Sequence, residues 1–273
     1  MHIVRHNKKM KEGNHMKQET EHEYYEQIKD WNFEKFEIET EEFTNWDMYK
    51  ILNDVSNNSS RILDLGTGGG EKVIKNFPED AKEIIGIDFS EEMIKTANKN
   101  LAESGRKNIS FMFMNNLKLE FPDESFDIVV SRNTVISAKE IMRVLKPGGH
   151  LILHGVDKFD CYELKKIYGR GQAYNDDKPI SIIDFDDLFD AGFIDIELVP
   201  IHEREYFKNK DLLYSFLLKV PIIDDFSEET DSLKDFYSKG IDRDLFEKYI
   251  ERNTYSKGIR LIRRYYGITA RKN

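Results

Sequence analysis

Cysteine is nearly absent from this 273-residue chain. Cys161 stands alone, which excludes an internal disulfide and any metal site built on a cysteine cluster. The histidines are scattered without metal-ligand spacing, so no metal is expected. No apolar run approaches the roughly 20 residues that cross a bilayer, so no membrane span is expected. The opening MHIVRHNKKMKEGNHMK is basic but lacks the apolar stretch of a secretory signal. The chain therefore reads as cytoplasmic, with residues 1–20 as a disordered tail and Met10 or Met16 as equally good starts. Positive charge is in deficit as well: 41 Lys and Arg against 51 Asp and Glu leave a net charge of −10. That balance opposes broad binding to nucleic acid or anionic membranes, because neutralising phosphates takes a concentrated basic surface. Internal repeats and low-complexity linkers are also missing.

What is present is an alternation of apolar runs and amphipathic segments. EHEYYEQIKDWNFEKFE and TEEFTNWDMYKILNDV place apolar residues at helical spacing, giving an N-terminal helical segment over 21–57. Its aromatic residues Tyr24, Tyr25, Trp31, Phe33 and Phe36 are expected against the sheet edge, with one or two available to wall a substrate pocket. RILDLG, EIIGIDF, ISFMFM, SFDIVVSR and HLILHGV read as strands apolar on both faces. Between them lie GEKVIKNF, SEEMIKTANKNLAESG with Ser90 as N-cap and Gly105 as C-cap, and AKEIMRVLKPGG. This alternation means a parallel sheet covered on two sides. FIDIELVPI (193–201) and IRLIRRYYGITARK (259–272) are further strands, the second an edge strand whose charges line its solvent face. The charged, mostly helical stretch between them is too long for a simple connection and is expected to be a functional cap. The resulting division is a core over 58–204, a cap over 205–258 and a final strand over 259–273.

RILDLGTGGGEKVI puts four glycines into five positions directly after a strand. In an open parallel sheet this loop lies beyond the carboxyl ends of the strands, where ligands bind. A dinucleotide fingerprint wants a small residue where Glu71 stands, and an acid there opposes a pyrophosphate. The other spacing, D-x-G-x-G-x-G over Asp64, Gly66, Gly68 and Gly70, places a carboxylate at the strand end, which suits a cationic ligand. Asp88 ends the next strand, where it can accept both hydroxyls of a ribose, and Phe89 can lie on an adenine face. S-adenosylmethionine is such a ligand: it carries a sulfonium, an ammonium and a ribose, and no phosphate.

ILDLGTGGGE, IIGIDFSEEMIKTA, LEFPDESFDIVVSR and IMRVLKPGGHLIL resemble, in order and spacing, the motifs of class I S-adenosylmethionine-dependent methyltransferases, and more narrowly the type 11 small-molecule group. The resemblance covers about residues 58–156. It implies a Rossmann-like seven-stranded sheet with helices on both faces, N-terminal helices and a helical insertion before the last strand. It implies that Gly66, Thr67 and Gly68 run against the methionine part of the cofactor, with Asp64 near the ammonium and Asp88 on the ribose. After the third strand the family usually has an Asp followed by a small residue; here Asn115 and Asn116 take those places toward the adenine. Ser131 and Arg132 then lie beside the methionine moiety, and Asn133 points toward the acceptor. His154 is the first candidate for a general base and Asp157 the second. The implied activity is methyl transfer to O, N or C of a small molecule. An RNA methyltransferase and a non-catalytic S-adenosylmethionine-binding protein are the two rival readings.

Overall fold

The structure, a computed structural model, describes residues 34–224 and 236–273. The expected tail over 1–20 and the aromatic residues Tyr24, Tyr25, Trp31 and Phe33 lie outside the described residues. Five strands run parallel: β2 (Arg61–Leu65), β3 (Glu83–Asp88), β4 (Ile109–Phe113), β5 (Phe126–Arg132) and β6 (Leu145–Val156). β9 (Gly258–Arg271) inserts antiparallel between β6 and β7 (Ile194–Phe207). These are the seven expected strands. Two short ones join them, β1 (Glu39–Glu42) beside β7 and β8 (Thr254–Tyr255) beside β9, and the path across the sheet is β1-β7-β9-β6-β5-β2-β3-β4.

Helices cover both faces, as expected. On one face α1 (Met48–Val55), α2 (Glu71–Asn76) and α3 (Glu91–Ser104) bury Leu52, Val73 and Ala97 against Ile62, Ile84, Ile128 and Ile152. On the other, α4 (Ala138–Val144) and α6 (Ile180–Ala191) bury Ile141, Val144 and Leu188 against Leu63, Val129, Leu151 and Ile268. Ser90 accepts from Met93 N and Gly105 ends α3 in the left-handed region, so both caps stand where the sequence puts them.

Four local expectations change. Glu39–Glu42 is a strand rather than part of a helix: ETEE has no apolar face to bury, and the free edge of β7 offers backbone partners. Lys257 Nζ, 2.8 Å from both Glu39 and Glu41, secures it. α4 stops at Val144, well before Gly149, because Pro147 drives the residue before it into extended backbone and starts β6 early. β7 runs on to Phe207, so α7 (Lys210–Lys219) begins beyond residue 205. β9 is an interior strand, not an edge, and its Arg263 is buried.

The β7–β9 ribbon outruns the parallel strands. Val156, the last residue of β6, pairs with Tyr265, while β9 continues against β7 as far as Phe207 opposite Ile259. A separate apolar cluster packs on this extension. Ile259, Leu261 and Phe207 meet α5 (Tyr162–Tyr168), α7 and α8 (Phe236–Asn253) through Leu164, Leu213, Phe216 and Tyr249. Phe36 joins this cluster, edge-on to Phe216 at 5.5 Å, instead of lying at the sheet edge. These helices thus stand beyond the carboxyl ends of the parallel strands, on the side where the glycine loop emerges.

Candidate functional site

Gly66, Gly68 and Gly70 hold φ of 71°, 56° and 76°, a region that side chains with a Cβ rarely enter. Space is as tight as conformation is special. A Cβ on Gly66 would lie 2.7 Å from the Thr134 side chain, and one on Gly70 would lie 2.7 Å from the Phe111 ring. The loop folds back over β3: Gly66 N and Thr67 N both donate to Ile87 O. Asp88 fixes the centre of the loop, its Oδ2 accepting from Gly68 N at 2.8 Å and its Oδ1 from Ser90 N at 2.9 Å. Glu71 opens α2 in its first turn, so the helix N-terminus already faces a carboxylate, which disfavours a pyrophosphate there.

Beside the loop lies a cleft of about 240 Å³, including space open to solvent, lined by Asp64, Gly66, Thr67 and Arg132 together with Met48, Tyr49 and Lys72. The first four were expected from the sequence. Met48, Tyr49 and Lys72 were not: α1 reaches the loop only through tertiary packing and no local motif marks it, while Lys72 stands in the first turn of α2, after the glycines. Burial pushes the Asp64 carboxyl up to about 7, against the opposing pull of the Thr67 hydroxyl and Arg132. The fold thus favours the neutral acid. A carboxyl with a raised folded pKa contributes stability that is present below its ordinary pKa and lost as pH rises through about 7. Without cofactor, Asp64→Asn is therefore expected to gain on the parent protein, by on the order of 1–4 kcal/mol, between about pH 4 and about pH 8. The difference between their melting midpoints across that range reads it. His154, its pKa lowered to about 4, titrates with the opposite sign in both proteins.

The loops after β4 and β5 close the floor. Asn116 Nδ2 donates to Thr134 Oγ1 at 2.9 Å, and Thr134 in turn packs on Gly66. Asn115 Oδ1 accepts from Leu117 N at 2.8 Å, which closes a turn after β4. Phe89 stacks on Phe113 with ring centroids 5.4 Å apart, both rings partly open to solvent. Among the described residues, three buried polar atoms in or near the loop have no hydrogen-bond partner: Thr67 Oγ1, Asn116 Oδ1 and the Oγ of Ser131, which stands opposite Leu65 in register. Buried polar atoms are rarely left so unless a ligand supplies the missing bond.

On the acceptor side, Asn133 follows β5 with φ 54° and holds His154 twice. Its N–H donates to His154 O at 2.8 Å, and its Oδ1 lies 2.9 Å from His154 Nδ1. Burial first, then Arg132 and Arg263, lowers the imidazole pKa to about 4. A proton acceptor works best near the operating pH, so His154 suits hydrogen bonding better than proton removal. Asp157 serves a turn: its Oδ1 accepts from Phe159 N at 3.2 Å and its carbonyl from Asp160 N.

Residues 56–188 match the family model of a methyltransferase domain. Over those residues the chain resembles the class I, S-adenosylmethionine-dependent methyltransferases. A demethylmenaquinone methyltransferase of Lactococcus lactis is 41% identical over 100 residues, 33% of this chain and 40% of that protein. A ubiquinone/menaquinone biosynthesis C-methyltransferase of Proteus mirabilis is 33% identical over 133 residues, 45% of this chain and 53% of that one. This chain therefore spans about half the length, or less, of the curated relatives it matches. In fold, this chain resembles the crystal structure of a putative methyltransferase from Bacillus halodurans, with a TM-score of 0.54 and 20% identity over 83% of this chain and 98% of that one. S-adenosylmethionine is the cofactor of this family, and the residues present fit it. The glycine loop offers bare backbone between Asp64 and Asp88, with Asn116 and Ser131 supplying unsatisfied polar atoms beneath it.

Proposed function

We propose that this protein transfers a methyl group from S-adenosylmethionine to O, N or C of a small-molecule acceptor by direct in-line displacement. The observation that carries the reading is the pair of carboxylates, Asp64 and Asp88, at adjacent strand ends on either side of a left-handed glycine loop. The bound cofactor supplies a methyl already activated by a positively charged sulfur. The chain's task is then to orient and desolvate, which can contribute roughly 7–11 kcal/mol toward the barrier. In this reading Asp88 holds the ribose, Asp64 and Arg132 hold the two charged ends of the methionine moiety, and Phe89 and Asn115 receive the adenine. Asp64 gains a cationic partner on binding, which returns its carboxyl to the ionised state.

The acceptor enters from the side of Asn133 and His154. The net charge of −10 supports a small molecule over RNA. Both relatives are named for methylation in quinone biosynthesis, but β7, β9, α7 and α8 lie outside the matched residues 56–188, so the acceptor does not carry over from the names. Calorimetric titration with S-adenosylmethionine and S-adenosylhomocysteine tests the reading. Micromolar binding of both is expected, and a folded protein that binds neither would overturn it.

A further inference from the structure

Four acids are buried among the described residues, and three of them have donors on the carboxyl. Asp160 and Glu205 share Arg263, and Asp157 accepts from Phe159 N. Asp64 is the fourth. It is 6% exposed, yet among the described residues no ion pair or backbone hydrogen bond reaches it. Asp88, one strand over, has two backbone donors of its own.

The pleat of β2 aims this acid into the cleft. Leu63 and Leu65 join the cluster beneath α4 and α6, whereas Ile62 joins the one beneath α1 and α2, and Asp64 shares the Ile62 face. It therefore meets the apolar side chains Met48, Val73 and Phe77. Charged and titratable groups face it from four elements: Tyr49 on α1, Lys72 on α2, Asp88 at the end of β3 and Arg132 at the end of β5. Burial outweighs them. It raises the carboxyl to about 7 against the pull of Thr67 and Arg132, and Asp88 adds to the rise, so the empty cleft holds a neutral acid below that pH.

An ammonium group reverses the balance, because a cation beside the carboxyl is the counter-charge that the fold withholds. In these poorly hydrated surroundings the paired, ionised form is favoured strongly. The O–H bond of the Asp64 carboxyl then breaks, its electron pair stays on the oxygen, and the proton passes to solvent. No bond of the ligand changes.

We propose that this protein takes up its cofactor in exchange for a proton from Asp64, which couples filling of the methyl-donor site to pH. The coupling rests on the methyltransferase reading and adds regulation to the same site. Affinity rises as pH approaches neutrality, since binding releases a proton. Ligands are also sorted by their amino-acid end. S-adenosylhomocysteine keeps the ammonium and displaces the proton, whereas 5′-methylthioadenosine lacks it and does not.

Calorimetry at pH 6 in phosphate and in imidazole, buffers of different protonation enthalpy, counts the protons released when S-adenosylhomocysteine binds. Roughly 0.8–0.9 proton is expected for the parent protein, and affinity should strengthen about five- to tenfold between about pH 6 and about pH 7.5. His154 titrates near about 4, below this window. Asp64→Asn has no proton to lose, so release should vanish and its affinity should stay level over the same range. Binding of 5′-methylthioadenosine to the parent protein should release none either, and this comparison decides alone if the variant binds too weakly to titrate. Binding of S-adenosylhomocysteine without release at pH 6 would overturn the coupling. So would equal release in Asp64→Asn or with 5′-methylthioadenosine. A folded parent protein that binds no S-adenosylhomocysteine at either pH would instead overturn the methyltransferase reading beneath it.

Discussion

Asp88→Ala is expected to weaken binding of S-adenosylmethionine and S-adenosylhomocysteine roughly 100- to 10,000-fold, as read by calorimetry. Two effects combine in that figure. The carboxylate would give two charge-assisted hydrogen bonds to a ribose diol, each contributing about 1.5–3 kcal/mol. It also accepts from Gly68 N and Ser90 N, so its loss releases the middle of the glycine loop before any ligand arrives. Asp88→Asn separates the two contributions. An amide has a single oxygen, and its N–H groups must face one of the backbone donors that the acid now satisfies. Its affinity should fall between those of the parent protein and the alanine variant. The sheet beneath should persist, because Leu63, Ile85 and Ile87 pack on one face without help from the loop. Unchanged affinity in Asp88→Ala would remove this residue from the cofactor site.

The largest stability effect is expected at Arg263. Its Nε and Nη2 reach Asp160 at 3.0 and 3.2 Å, and Nη1 reaches Glu205 at 3.1 Å, all within a layer closed to water. Removing one member of a buried charge set leaves the others unpaired, at a cost of about 3–5 kcal/mol. Arg263→Met retains the packing volume, so the loss measured by urea denaturation would report the electrostatics. Burial already raises the Glu205 carboxyl with the arginine in place. Without that counter-charge its pKa climbs further, and protonation then relieves the folded state. The deficit of the variant should therefore shrink as pH falls from about 7 toward about 5. A deficit that stays constant with pH would mean lost packing rather than stranded carboxylates.

Arg263 also marks the boundary of what the sequence discloses. In IRLIRRYYGITARK the charges alternate with apolar residues, and alternation read locally means a half-exposed edge strand. The partners that bury Arg263, Asp160 and Glu205, stand 103 and 58 positions away, so no local pattern could announce them. Glu39–Glu42 escaped for a related reason: three glutamates in four residues carry no strand signal until β7 presents an edge and Lys257 a counter-charge. The central strands were legible because burial on both faces writes an unbroken apolar run, and α3 because Ser90 and Gly105 punctuate it. The glycine loop was legible for the same kind of reason, its constraint being the backbone itself. Asp64, Thr67 and Arg132 line the cleft as the motifs placed them, whereas Thr134, which wedges Gly66 and receives Asn116, carried no signal.

β9 has a consequence for the order in which the chain folds. It is synthesised after every other strand described, yet it lies between β6 and β7 and contributes to two apolar clusters, Ile259 and Leu261 to one and Tyr266, Ile268 and Ala270 to the other. Until it emerges, β6 presents a bare edge, β7 and β1 have nothing to join, and both clusters are open. Its contacts reach back more than a hundred positions, from Thr269 to Ile152 and from Arg263 to Asp160, and closing such loops is slow. A nascent chain of this protein must therefore carry an unsealed sheet, with the exposure to misassembly that brings, until β9 has been made.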